Sequence, residues 1–425
     1  MTRLPFCAIR AHLRAVRWFL RDMTREMYTA QYFAHVHEFM ANARAEEPVF
    51  RTTALNGVPT WVVTRYDDVR ALLTDDRLSK DSERIVALIH RKMIAAGREP
   101  QLHAGFGKNM LMADPPDHAR LRLLLAKDFT ARRVALLRPF TEQLTENLLA
   151  ALATETGPAD VVDGFAVALP AMVISELLGV PPEDRHEFQV WTGGVLSGDP
   201  AVYMPANDAV VAYLDKLIAA KAANPGDDLL SAMTRAEEGD RLSSEEVLAM
   251  ALLVLIAGHE TTANLISAGI LRLLTEPALA EQLLADPAAV VEELLRVDSP
   301  VMLATSRYTT VDVEVGGVVI PADEIVALAI GSANRDQDRF SHGDQIDLDR
   351  GARGHVAFGH GLHHCLGAPL ARLEAEVALT AFVRQFPQAR LAVPVAELPF
   401  RQATIMNGYS EMPVVLGARA VVTNS

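Results

Sequence analysis

Hydrophobic residues recur every three or four positions through much of the chain, which is the spacing of helices that bury one face. Such periods cover residues 134–153, 165–178 and 209–222. A longer helix is predicted from the capping box Ser243-Ser244-Glu245-Glu246 to about Leu274, because Pro277 lies just beyond that end. This helix is apolar on every face from Val247 to Ala257, so it should be buried in the core.

Segments rich in alternating apolar residues predict strands in two regions. Residues 48–52 and 60–64 flank Asn56-Gly57, a pair that favours a hairpin turn. Strands are predicted again after Pro300, with turns at Gly316-Gly317 and at Asn407-Gly408. Residues 192–207 hold three glycines and two prolines, which predicts a loop between two helices.

The chain is long enough to bury a large core, with 425 residues of which 50% are hydrophobic. No linker-like segment divides it, so residues 26–425 are expected to form one domain. Residues 1–25 form an N-terminal extension in which Arg10, Arg14, Arg17 and Arg21 fall on one helical face. Three interpretations of this extension stay open: a basic surface helix, a contact with an anionic membrane, and a start codon placed too early.

Charge and cysteine content narrow the function. The 54 acidic and 40 basic residues give a net charge of −14, which argues against a nucleic-acid partner. Two cysteines exclude a disulfide framework and fit a reducing cytoplasm. The longest apolar run is shorter than the ~18 residues that suggest a membrane span. We expect a cytoplasmic monomer with no transmembrane segment.

The strongest chemical motif is Phe358-Gly359-His360-Gly361-Leu362-His363-His364-Cys365-Leu366-Gly367. A helical period follows Cys365, so its sulfur should lie at a helix N-terminus, where unpaired N–H groups and the macrodipole lower the pKa of a thiol. The glycines should let the backbone turn sharply and approach a flat ligand. The alternatives are an inert buried cysteine and a zinc site, although neighbouring residues rarely converge on one tetrahedral centre.

These ten residues resemble the haem-binding loop of the cytochrome P-450 family, Phe-Gly-x-Gly-x-His-x-Cys-x-Gly, and every fixed position is matched. The resemblance implies a mainly α fold with a smaller β-rich region, a triangular helical prism whose long central helix lies over haem b. It makes Cys365 the axial ligand of the haem iron and His363 a propionate ligand. Phe358, Gly359 and Gly367 would then border the cofactor.

Three positions elsewhere match other haem-binding residues of the family. His118 and Arg122 are four apart and share a helical face. They match the family's His-x-x-x-Arg pair, which binds the haem propionates; alone, such a pair is most often solvated surface. Arg307 corresponds to a strand arginine that also pairs with a propionate.

Polar residues interrupt the long helix at Ala257-Gly258-His259-Glu260-Thr261-Thr262, and buried polar groups need a reason. A zinc-protease motif would need a second histidine where Ala263 stands, and Thr261 could simply bond a carbonyl one turn earlier. The segment also resembles the family's Ala-Gly-x-Asp/Glu-Thr-Thr, in which Ala257 and Gly258 adjoin the haem and the glycine opens a groove for dioxygen. That resemblance makes Glu260 the proton-relay acid and Thr261 the hydroxyl that orients dioxygen.

Two further sets of residues have predicted roles. Glu293 and Arg296 match the family's Glu-x-x-Arg and should join Arg350 in a buried structural triad, whereas an isolated pair would be a surface ion pair. In the family, residues 192–207 would form the lid over an apolar substrate pocket. The predicted lining of that pocket, for which core packing is the alternative, is Leu253, Ala257, Met302, Leu303, Ala304, Ile405 and Met406.

The implied function is a monooxygenase of secondary metabolism that inserts one atom of dioxygen into an apolar organic substrate, by hydroxylation or epoxidation. Ferredoxin and ferredoxin reductase would supply the electrons, and ferredoxin would dock near Arg120, Lys127, Arg132 and Arg372. Two alternatives stay open. The same machinery could couple or desaturate its substrate, or a haem-bearing module could hold a substrate or carrier protein without turnover.

Overall fold

The computed structural model describes residues 25–99, 108–195, 200–238, 242–401 and 405–420. Residues 1–24 of the predicted N-terminal extension lie outside these ranges. Helix accounts for 57% of the structure, which confirms the predicted mainly helical fold.

Sixteen α-helices lie in the described ranges. The first eight are α1 (Ala30–Ala34), α2 (Val36–Glu46), α3 (Tyr66–Leu72), α4 (Ser82–Ala95), α5 (Asp117–Ala126), α6 (Ala131–Ala135), α7 (Arg138–Leu152) and α8 (Ala168–Leu178). The second eight are α9 (Arg185–Val195), α10 (Pro200–Ala223), α11 (Leu229–Glu238), α12 (Ser244–Thr275), α13 (Pro277–Ala285), α14 (Pro287–Val297), α15 (Ile330–Ala333) and α16 (Ala368–Gln385).

The strands form three small sheets. They are β1 (Val49–Thr53), β2 (Pro59–Val63), β3 (Leu78–Ser79), β4 (Ala159–Asp160), β5 (Arg307–Thr309), β6 (Val313–Val315), β7 (Val318–Ile320), β8 (Ile325–Leu328), β9 (Arg390–Leu391) and β10 (Pro413–Val415). The largest sheet has the order β1-β2-β8-β5-β3, in which only the β2–β8 pair is parallel. The other sheets are β4-β10-β9 and β6-β7.

The first predicted hairpin is confirmed: β1 and β2 pair antiparallel with Phe50 opposite Val62, and Gly57 turns with a φ of 82°. Gly316-Gly317 likewise joins β6 to β7. The tight turn predicted at Asn407-Gly408 is wrong, because Gly408 lies in a paired segment: its carbonyl accepts from the Arg401 N–H at 2.9 Å, and Phe400 pairs with Tyr409.

Helix α12 lies in the largest hydrophobic core, packed against α8, α11 and α16. The predicted capping box forms, since the Ser243 side chain accepts from the Glu246 N–H while the Glu246 carboxylate accepts from the Ser243 N–H at 3.0 Å. By length and composition α12 could cross a membrane, but 72% of its apolar window is buried inside the protein. It is therefore a core helix.

The loop predicted over residues 192–207 is shorter than expected. Helix α9 continues to Val195 and α10 already begins at Pro200, although Pro205 lies inside it. A Cβ on Gly194 would lie 2.6 Å from the Cβ of Ala206, so this glycine lets α9 and α10 pack closely rather than ending a helix. Tertiary packing overrides the local propensity here.

Candidate functional site

The Cys365 loop lies directly before α16, as the sequence predicts. The Cys365 N–H donates to the carbonyl oxygen of Phe358 at 2.8 Å, which closes the loop on itself. Gly359 and Gly361 both have a φ of 72°, a conformation that favours glycine. Gly367 is different, since it caps α16 with a φ of −78° and its freedom is not needed for a turn. The expectation that all three glycines turn the chain sharply is wrong at Gly367.

The Cys365 sulfur is surrounded by protein atoms, although the residue remains accessible to solvent. Burial raises the pKa of the thiol, while hydrogen bonds from the Gly367 and Ala368 N–H groups and the charges of Arg122 and Arg372 lower it only in part. The expected lowering of the thiol pKa is therefore wrong for the protein alone, because desolvation outweighs the helix terminus. Binding of a metal ion would favour the deprotonated form of Cys365, since thiolates bind metals and thiols do not.

Basic side chains converge beside this loop. The rings of His118 and His363 lie 4.4 Å apart between centroids, and both nitrogens of His118 are buried without a hydrogen-bond partner. Burial, together with the nearby charges of Lys80, Arg307 and Arg122, lowers the pKa of His363 to about 2. The two histidines predicted as propionate ligands thus meet, in a strongly positive environment.

Two buried cations complete this cluster. The Lys80 ammonium donates to the Thr305 hydroxyl at 2.7 Å, and burial holds its pKa well below the usual value. Burial also lowers the pKa of Arg307 to about 10, and its guanidinium donates to the Thr305 carbonyl at 3.2 Å. The negative charge of Asp114 partly offsets the lowering of the pKa of Lys80 and of Arg307.

An excess of buried cations and an unpartnered histidine fit a ligand that carries two carboxylates, because unpaired buried charge is costly. The two propionates of a haem supply that chemistry. Cys365, on the loop that carries His363, supplies the soft ligand that iron requires. The residues present therefore fit a haem group. Sequence reasoning missed Lys80, and no period or motif around it gives a signal.

Helix α12 presents small and polar residues in its middle. Ala257 is exposed although residues 249–255 are buried, and the Thr261 hydroxyl donates to the Ala257 carbonyl at 2.8 Å. That bond is the back-bonding alternative considered from the sequence. A Cβ on Gly258 would lie 2.5 Å from Cδ1 of Ile174, so this glycine faces α8. The assignment of Gly258 to a dioxygen groove stays a prediction, and Ala257 is the more accessible of the two positions.

Glu260 is mostly buried beside Thr261. Its Oε1 accepts a hydrogen bond of 3.3 Å from Nη1 of Arg401, a residue that the sequence gave no reason to select. Burial raises the pKa of Glu260, and Arg401 partly offsets that rise. A buried carboxyl group with a raised pKa is suited to accept and return protons near neutral pH.

The predicted Glu-x-x-Arg residues meet Arg350. Glu293 accepts from Arg296 Nε and from Arg350 Nη2, each at 2.8 Å. Arg296 is fully buried and also donates to three carbonyls, those of Asn334, Gly343 and Gln345. This triad ties α14 to the chain that leads into the Cys365 loop.

The residues predicted to line the pocket divide into two sets. Leu253, Met302 and Leu303 are buried members of the hydrophobic cores, with 2–4% of their surface exposed. Ala304, Ile405 and Met406 are half-buried, and Ala257 is exposed. Ala304 and Ile405 also pack against the cores, but they keep accessible surface that the first set lacks, so the second set has more surface with which to contact a ligand.

The four basic residues predicted to dock a ferredoxin fall into two pairs, one engaged in ion pairs within the protein and one exposed. Arg120 pairs with Glu246 at 2.5 Å, and Arg372 pairs with Glu292 at 2.5 Å, so both are engaged within the protein. Lys127 and Arg132 are exposed. In the described part of the chain, no group of three His, Cys, Asp or Glu side chains is placed to hold a metal ion, so the zinc alternative has no support there.

Comparisons with known proteins show the family to which the chain belongs. A family model described as Cytochrome P450 matches residues 208–286 and 288–392. The chain is 46% identical over 378 residues to cytochrome P450 107B1 of Saccharopolyspora erythraea, covering 88% of this chain and 93% of that protein. It is 40% identical over 383 residues to mycinamicin IV hydroxylase/epoxidase of Micromonospora griseorubida, covering 87% and 92%.

Among solved structures, the tirandamycin C-bound P450 monooxygenase TamI has a TM-score of 0.84 at 40% identity and covers 92% of this chain and 100% of its own. These likenesses extend over most of the chain and include the helices and loop that form the site. The chain therefore belongs to the cytochrome P450 family of haem-thiolate monooxygenases.

Proposed function

We propose that this P450 hydroxylates or epoxidises a bulky apolar secondary metabolite of the polyketide type, with haem b as cofactor and a ferredoxin as electron donor. The observation that carries the proposal is the polar interruption of α12. An otherwise buried helix exposes Ala257 and then places the Thr261 hydroxyl and the Glu260 carboxyl in successive positions.

Haem bound through Cys365 supplies reductive activation of dioxygen and transfer of one oxygen atom to the substrate. The buried Lys80 and Arg307 and the half-buried Arg122, with His118 and His363, would hold its propionates by charge-assisted hydrogen bonds. The accessible Ala257 leaves space for a small ligand beside the helix.

The protein's own contribution to the chemistry is proton delivery. Reduction of dioxygen consumes two protons, and Glu260 can take them from solvent because its carboxyl group is partly exposed, at 12% of its side-chain surface. The Thr261 hydroxyl can donate a hydrogen bond to the reacting oxygen when it leaves the Ala257 carbonyl. The two side chains would then act in series, with Glu260 as the acid and Thr261 as the donor.

The substrate class follows from the pocket and the relatives. Ala257, Ala304, Ile405 and Met406 offer apolar surface, and the long predicted lid is replaced by two closely packed helices. Mycinamicin IV hydroxylase/epoxidase acts, by its name, on mycinamicin IV, and TamI was solved with tirandamycin C. We therefore favour a macrolide or a related polyketide.

The docking surface for ferredoxin is proposed to lie on the Cys365 side of the molecule. Leu123 lies on α5 and Lys127 follows the last residue of that helix, and both are exposed. The exposed Leu362 adjoins His363, whose ring lies 4.4 Å from that of His118 on α5. Exposed apolar side chains next to cations suit a small acidic electron carrier. Reversing Lys127 and Arg132 to glutamate should slow reduction by ferredoxin and weaken its salt dependence.

Arg91 on α4 is the matched control for charge reversal, since its side chain is 66% exposed and it lies on a different helix. Arg91→Glu should leave the reduction rate unchanged. Equal rates for the wild type and the Lys127/Arg132 variant would remove these residues from the docking surface.

The cofactor is tested by the difference spectrum of the dithionite-reduced protein with carbon monoxide. A Soret band near ~450 nm is expected, because a thiolate axial ligand sets that energy, and Cys365→Ser should abolish it. A wild-type band near ~420 nm in freshly reconstituted protein would contradict ligation by a thiolate.

The substrate class is tested with mycinamicin IV as the probe. We expect titration with this probe to shift the ferric haem to high spin. When ferredoxin and its reductase are added, we expect a product that has gained one oxygen atom. Desaturated or ring-coupled product, or a spin shift without turnover, would favour the alternative chemistries instead.

A further inference from the structure

The only charged partner of Glu260 within the described residues is Arg401. Nη1 of Arg401 donates to Oε1 of Glu260 at 3.3 Å, and 27% of the arginine side chain is exposed against 12% for the glutamate. The pair therefore spans from the middle of α12 to the protein surface. In the described part of the chain, Oε2 of Glu260 has no hydrogen-bond partner.

The backbone fixes Arg401 at this position. Its N–H donates to the Gly408 carbonyl at 2.9 Å, and the rings of Phe400 and Tyr409 pack edge to face at 5.5 Å. A Cβ on Gly408 would overlap the side chain of Asn264, which follows Glu260 by one turn of α12. The segment that carries Arg401 is thus fitted against the same helix that carries the acid.

The neighbouring histidine does not compete for the acid. His259 is 2% exposed, and burial, with a smaller effect of the Arg401 charge, lowers its pKa to about 4. It is therefore neutral at neutral pH. Arg401 is left as the group that compensates the charge of Glu260.

We propose that Arg401 is a positioning residue for proton delivery, which holds Oε1 of Glu260 and leaves Oε2 as the oxygen that takes up and releases the proton. This inference rests on the proposed role of Glu260 as the relay acid. The proton passes from solvent to Oε2 and then toward the Thr261 hydroxyl, and Glu260 returns to the carboxylate that Arg401 stabilises. Without the guanidinium, burial should keep Glu260 protonated and slow its release of the proton.

The first test reads the protonation state of Glu260 directly. Infrared difference spectra at neutral pH should show a protonated carboxyl C=O band in Arg401→Met that is absent from the wild type and from Arg401→Lys. The band should disappear in the double variant Arg401→Met/Glu260→Gln, which assigns it to Glu260. No new band in Arg401→Met would overturn the proposal.

The second test separates proton delivery from structural damage, with mycinamicin IV and ferredoxin. Arg401→Met should lower product formed per electron pair about tenfold and raise the solvent isotope effect; this loss is smaller than the ~10²–10⁴-fold of a complete general acid, because Glu260 itself remains. Arg401→Lys should recover most of the coupling. Iodosylbenzene, an oxygen donor that needs no proton delivery, should support equal turnover in all variants.

The matched control is Arg419→Met, which removes a surface arginine that binds Glu146 and Gln385. It should change none of these readouts. If Glu260→Gln leaves the isotope effect unchanged, the proposed relay role of Glu260 fails. If Glu260→Gln impairs coupling and Arg401→Met does not, or if iodosylbenzene fails to restore Arg401→Met, only the role of Arg401 fails.

Discussion

Glu374, on α16, carries a carboxyl group that is fully buried, and neither oxygen has a hydrogen-bond partner in the described part of the chain. Burial raises the pKa of this group well above its usual value. The folded protein therefore holds a proton on Glu374 that the unfolded chain releases above about pH 4.3. An unsatisfied buried polar group of this kind costs about 1–3 kcal/mol.

Glu374→Met removes both the polar atoms and the proton, at similar side-chain volume. We expect the free energy of unfolding to rise by about 2 kcal/mol near neutral pH, because the desolvation cost of the carboxyl group disappears. The gain in stability should also depend on pH, because the folded and unfolded chains bind the Glu374 proton with different affinities. A raised folded-state pKa costs stability above the unfolded pKa, so the gain should be larger near pH 8 than near pH 5.

Glu374→Gln is the matched control, since it stays polar and cannot ionise. Its difference from the wild type should also grow from pH 5 to pH 8, because the same titrating group is lost, while most of the cost of burying a polar group remains. The difference in stability between Glu374→Met and Glu374→Gln should therefore be independent of pH. Denaturant unfolding of the haem-loaded protein at both pH values measures the three stabilities. A loss of stability in Glu374→Met would refute the reasoning, because it would mean that the carboxyl group has partners such as internal water.

Three further predictions follow from the packing of the site. Gly258→Ala should destabilise the protein by about 1–3 kcal/mol, since the new methyl group overlaps Ile174, and adding Ile174→Val should recover part of this loss. The absorption band of the carbon monoxide complex should not shift. A shifted band would indicate that Gly258 contacts the haem site. Lys80→Met should stabilise the apoprotein but weaken haem binding: the free energy of thermal unfolding of the apoprotein should rise by about 1–4 kcal/mol, and haem transfer to apomyoglobin should become about tenfold faster. Equal transfer rates would exclude Lys80 from the propionate site. Arg296→Met should cost more than about 3 kcal/mol, because it leaves Glu293 and three carbonyls without this donor; retention of wild-type stability and haem content would contradict the role of the triad.

Local sequence predicted the parts of the site that lie within one element or one short loop. The residues from Phe358 to Cys365 specify a loop before a helix, and Ser243 with Glu246 specifies where α12 begins. Glycine φ angles and capping bonds depend on neighbours only a few positions away, so the pattern contains them. The order of helices and the β1–β2 hairpin follow for the same reason.

Tertiary structure decided which way the side chains of the site point and which distant residues they contact. Gly258 lies against Ile174 of α8, Lys80 reaches Thr305 across 225 positions of sequence, and Arg401 reaches Glu260 across 141. The pKa of Cys365 also depends on how much protein surrounds the sulfur, and burial outweighs the helix terminus. The sequence by itself determined which chemical groups the protein carries and on which elements they lie. Only the packing of distant segments decided which of those groups are buried, and charges and hydrogen bonds depend on that burial.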